Sequence, residues 1–128
     1  MLSAGLSDAD RRRVRATRFP REFDVHVDLA KVNLPVMRVW IAQRLDDTAN
    51  GDDIATEYIL SLFDDDTTYD IKALQIQLEG LLPNPADAAA FCMDLQTLML
   101  DAQTTVSGVP KRLVAERREQ WRRERERQ

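Results

Sequence analysis

The chain has 128 residues, 44% hydrophobic and 31% charged, with a formal net charge of −4 and a single cysteine. That length suits one hydrophobic core with flanking arms, the balance of apolar and charged residues excludes a wholly disordered chain, and a lone Cys92 excludes an internal disulfide. No apolar run approaches the roughly 20 residues of a membrane span, and residues 1–10 lack the basic start and apolar stretch of a secretory signal, so a soluble intracellular protein is expected.

Residues 1–22 carry few apolar side chains and no sustained period, which predicts a flexible arginine-rich arm with at most a transient helical turn. Ordered contacts are expected from Phe19-Pro20 and Phe23 onward. Phe23 to Leu29 alternates like a strand, yet no second strand follows to pair with it, so it reads as an extended lead-in packed on helices. Asn33 is an N-cap with Pro35 in the first turn. The helix that follows turns Leu34, Met37, Trp40, Ile41 and Leu45 inward and ends near Asn50-Gly51. Asp52 caps a second helix with Ile54, Tyr58, Ile59, Leu62 and Phe63 inward, stopped by Asp64-Asp65-Asp66. Asp70 opens a third through Ile71, Leu74 and Leu78, with Ile76 off the stripe and Gly80 as terminator. Asn84-Pro85 starts a fourth, whose apolar face is Phe91, Leu95, Leu98, Met99, Ala102 and Val106, closed by Ser107-Gly108. Pro110 begins a fifth, mostly polar segment in which Trp121 either docks on the bundle or meets a partner. The predicted fold is all-α: a four-helix bundle over residues 23–109 with an extended N-terminal lead-in and an additional basic, charged helical extension over 110–128.

The residues that could support chemistry are scattered. Cys92 lies in an apolar pattern without a nearby histidine and reads as a packing thiol. His26 has no metal-ligand spacing to it. The acidic cluster at 64–66 with Asp70 lacks the glycine and terminal glutamate of a calcium loop, and the other carboxylates fall at helix ends or on polar faces. No catalytic residue, metal site, cofactor or small-molecule substrate is therefore expected, and the chain is not read as an enzyme.

Charge, by contrast, is segregated. Arg11, Arg12, Arg13, Arg15, Arg18 and Arg21 precede Glu22 without an intervening acid. From Arg38 to Thr105 only three basic residues oppose thirteen acidic ones, and beyond Val106 Lys111, Arg112, Arg117 and Arg118 begin a second basic stretch, this one interleaved with glutamates. Guanidinium groups pair with phosphate oxygens whatever the base, and clustered charges gain affinity by releasing counterions, so both stretches are candidate nucleic-acid contacts. The glutamates of the second stretch can form helix pairs with its arginines, which makes the N-terminal run the better candidate.

The run Val27-Asp28-Leu29-Ala30-Lys31-Val32-Asn33-Leu34, then Val36 and Trp40-Ile41, resembles the signature of PWI domains. The likeness continues in order through Glu57-Tyr58-Ile59, Leu74 to Leu78 with Gly80, Leu100-Asp101-Ala102-Gln103 and Gly108-Val109-Pro110. It spans about residues 23–113. The family is named for Pro-Trp-Ile, where this chain has Val39-Trp40-Ile41. The resemblance implies a four-helix core, a place in the nucleus in pre-mRNA splicing and processing, binding of single- and double-stranded DNA and RNA with little sequence preference through basic flanks, association with splicing proteins, and a longer arginine/serine-rich tail. A protein-interaction domain that engages a splicing factor through the acidic helical surface is the other reading.

Overall fold

The computed structural model describes residues 7–48, 53–61 and 69–127. Among them are six α-helices and no strand: α1 Asp8–Ala16, α2 Leu34–Thr48, α3 Asp53–Ser61, α4 Ile71–Glu79, α5 Pro85–Ala102 and α6 Lys111–Glu126. None is long and apolar enough to cross a membrane. The all-α reading holds. The helix beyond the expected five is α1.

Three starts are set by side-chain caps at the residues their chemistry predicts. Asn33 accepts from the Val36 N–H at 3.3 Å, Asp70 from Ala73 at 3.1 Å and Asn84 from Ala86 at 3.1 Å, each satisfying a backbone donor that the first turn leaves free. The expected Asp52 cap, the Asn50-Gly51 turn, Leu62, Phe63 and the 64–66 acidic cluster lie outside the described residues. Gly80 follows α4 at φ −86°, an ordinary right-handed cap.

The core forms around α5, which packs against α2, α4, α6 and the lead-in. Ala88, Phe91, Cys92, Leu95, Leu98, Met99 and Ala102 are buried along it, facing Met37, Ile41 and Leu45 of α2 and Leu74 and Leu78 of α4. Burial, with a smaller contribution from the Glu79 carboxylate, pushes the Cys92 thiol well above its usual range, as suits a thiol that packs rather than reacts.

Several expected faces are corrected. Ile54 and Val106 point outward, 77% and 110% exposed, whereas Ile76 is buried. Val106 lies past the end of α5, which stops at Ala102, so the helical period no longer governs where it points. Trp40 is partly rather than fully buried, its ring stacked on Phe91 at 5.8 Å.

The lead-in is irregular, as expected, with short 3-10 turns at Arg21–Asp24 and Leu29–Lys31. Gln96 of α5 and Gln103, which caps the C-terminus of that helix, hold it. Gln96 donates to the carbonyls of Glu22 (3.0 Å) and Val25 (3.2 Å) and accepts from the Tyr69 hydroxyl (2.7 Å). Two turns on, Gln103 accepts from the Asp28 N–H (2.8 Å) and donates to the His26 carbonyl (3.2 Å). Phe23 and Val27 are buried beneath these contacts. Gln96→Leu keeps the apolar volume but strips partners from two carbonyls and a hydroxyl, so it should lower stability by about 2 kcal/mol. A urea midpoint equal to that of the parent would show that water replaces those partners freely.

Candidate nucleic-acid interface

The N-terminal arginines are carried on a helix where the sequence reading expected only a transient turn. Ser7 caps it, accepting from the Asp10 N–H at 3.1 Å. Val14 packs against the core, and α1 lies on α4. Nine residues with so few apolar groups would not hold a helix alone in water; docking on α4 stabilises it. An ion pair joins the Arg13 guanidinium to Glu79 at the end of α4.

That arrangement divides the six arginines. Arg13 is tied to Glu79 and also lies 3.7 Å from Asp10, while Arg11 lies 3.9 Å from Asp8. No acid lies within the run, and those that moderate it come from just before it and from across the bundle. Arg12, Arg15, Arg18 and Arg21 are exposed and make no ion pair among the described residues. Arg12 and Arg15, three apart, share the solvent side of α1, and Arg18 and Arg21 follow on the connecting segment.

At the other end, Pro110 precedes α6, and the Asp101 carboxylate accepts from the Lys111 N–H at 2.6 Å, fixing the start of α6 to the end of α5. The Lys111 ammonium lies 3.9 Å from the same carboxylate, and Arg112 pairs with Glu116 at 3.7 Å. Arg117 and Arg118 are exposed and unpaired among the described residues. Leu113 packs on the core and Val114 beside it is half-buried, after which α6 is exposed along its length. The two arginine groups thus sit on different supports, α1 against α4 and α6 against α5.

The signature Val39-Trp40-Ile41 lies in mid-α2, which runs through Val39 as helix. Ile41 is fully buried, Trp40 stacks on Phe91 and has the Arg44 guanidinium 5.9 Å from its ring centroid, and Val39 is 58% exposed. Val39 and Trp40 form one wall of an open cavity of about 580 Å³ between α2 and α6, with Leu113, Val114 and Trp121 opposite. Trp121 borders this groove but stays 57% exposed, so it is not docked as a core residue would be.

Sequence reasoning did not group Arg122 and Arg125 with Trp121. Arg118, Trp121, Arg122 and Arg125 recur at three, four and seven, and they line one shallow depression on α6. The spacing was visible in the sequence, hidden by the alternation of arginine with glutamate.

Comparison with known proteins bears on the helical body. Residues 35–107 match the PWI domain family, a stretch from the first turn of α2 to just past α5 that leaves both arginine groups outside. Serine/arginine repetitive matrix protein 1 of Gallus gallus is 31% identical over 106 residues, 82% of this chain but 12% of that protein. With more than half of its residues matched by the family and, over 82% of its length, 31% identity to this relative, this chain belongs to the PWI domain family.

Proposed function

We propose that this chain is a non-catalytic nucleic-acid-binding module of a nuclear pre-mRNA splicing protein, in which a folded acidic body presents two arginine groups to RNA or DNA phosphates. The observation that carries this reading is the set of exposed arginines without ion-pair partners among the described residues: Arg12, Arg15, Arg18 and Arg21 at one end, Arg117 and Arg118 at the other. These guanidinium groups are open to phosphate oxygens, whereas that of Arg112 is engaged by Glu116 along its own helix. Family membership and the likeness to a serine/arginine repetitive matrix protein support the splicing setting. Contacts of this kind fix affinity and register but do not read bases, so little sequence preference is expected.

Titration of labelled RNA and DNA with the intact chain and with Arg12, Arg15, Arg18 and Arg21 all changed to Ala tests it. If each arginine meets one phosphate, the slope of log affinity against log salt should become shallower by about 3 on single strands and about 4 on duplex DNA. Unchanged affinity and slope would leave these residues a solvated surface. Binding of a basic splicing factor in place of RNA would favour the acidic helical surface as the functional one.

A further inference from the structure

α6 carries a second kind of feature besides charge. Arg118, Trp121, Arg122 and Arg125 enclose a depression of about 220 Å³, and the indole at its side is 57% exposed. Trp121 borders the α2–α6 groove, yet the core contact of α6 is made at Leu113 and more than half of the indole is left in solvent on a helix whose other surface residues are almost all charged. Its neighbours on the same face are guanidinium groups. Arg118 and Arg125 make no ion pair among the described residues, and Arg122 has only an exposed Glu119 at 3.4 Å. Arg118 and Arg125 stand two turns apart, about 10 Å along the axis, one on either side of Trp121.

A flat aromatic surface between two positive charges matches one ligand chemistry well: a base with a phosphate on each side. Aromatic side chains stack on any base whose face is free, while flanking arginines follow the backbone. In a duplex both faces of each base are covered by its neighbours, and only the phosphates remain within reach of this helix. The carboxylates of an acidic peptide would satisfy the guanidinium groups but offer no aromatic face for the indole.

We propose that the Arg118-Trp121-Arg122-Arg125 face of α6 is a stacking site for one unpaired base, so that this chain prefers single-stranded RNA or DNA over duplex. The inference rests on the nucleic-acid reading above and adds to it a strand preference that phosphate contacts alone do not supply.

The test compares a uridine-rich single-stranded RNA with a blunt-ended, fully paired RNA duplex of equal charge, titrated with the parent chain, Trp121→Ala and Trp121→Phe. Trp121→Ala should weaken single-strand binding roughly tenfold, within the range of one base–aromatic stack, and leave duplex binding within about twofold. Trp121→Phe should retain most of the single-strand affinity. In a Trp40→Phe background, where Trp121 is the only indole, single-stranded RNA should quench the emission and the duplex should not. Equal losses on both RNAs, or no loss on either, would overturn the stacking site while leaving the arginine reading intact. Failure of the parent to bind either RNA would overturn both. Quenching by poly-glutamate but not by RNA would assign the face to an acidic protein partner and overturn the proposal.

Discussion

Phe91→Ala should lower the stability of this domain by about 3–5 kcal/mol and its melting temperature by about 10–20 °C. Phe91 is fully buried on α5, the helix against which α2, α4, α6 and the lead-in pack, and its ring stacks at 20° to that of Trp40 across the α2 interface. Truncation removes the transfer free energy of the ring and leaves a void between two helices that are each fixed elsewhere, α2 by Ile41 and Leu45, α5 by Leu95 and Met99. The site therefore relaxes little. Trp40→Ala should cost less, since one side of the indole already faces the groove. Calorimetric melting of both variants checks the order; a shift of under 3 °C for Phe91→Ala would show that the core closes over the missing ring.

Gly108→Val should destabilise by about 3 kcal/mol for a different reason. Gly108 has φ +74°, where an L-residue costs about 1–2 kcal/mol and a β-branched one is a clear outlier. A Cβ there would stand 2.7 Å from the Asn33 nitrogen and 2.9 Å from the Lys31 carbonyl oxygen, both backbone atoms. The loop after α5 would have to retreat, and the 2.9 Å hydrogen bond from the Asn33 N–H to the Gly108 carbonyl would lengthen or break, a further loss of about 1 kcal/mol. Because Asn33 also caps α2, the damage reaches the signature helix. Denaturant titration should show a lower midpoint with an unchanged slope. A midpoint equal to that of the parent would mean that the loop refolds at no cost.

What the sequence revealed and what it hid divide along the range of the interactions. Caps at Asn33, Asp70 and Asn84 act within three residues, so their side-chain chemistry could be read directly, as could the apolar stripe of α5. Helix α1 had a local signal too: Ser7 with Asp10 three positions on is a helix-start pattern, outweighed in the reading by the lack of apolar residues. Its support by Glu79 comes from far along the chain. Ile54 fits its helix stripe and is still exposed, because periodicity defines a face without saying what covers it. Gln96 looked like one more polar residue on α5; only the carbonyls of the lead-in, more than 70 positions away, explain its burial. At the candidate interface the arginines were evident from composition. Which of them remain unpaired depended on tertiary neighbours.

The glutamine clasp has a consequence for biosynthesis. Residues 22–28 make hydrogen bonds to the side chains of Gln96 and Gln103 across 71 to 77 positions, and Asn33 bonds to Gly108 across a similar span. A ribosome delivers the N-terminal residues first, so the lead-in leaves the exit tunnel long before its partners exist. It must wait as solvated chain while α2, α3 and α4 are made, and the arginines beside it are exposed to any polyanion throughout. Emergence of residues 96–108 closes the structure at both ends of the lead-in, which makes completion of this small domain a late event in its own translation.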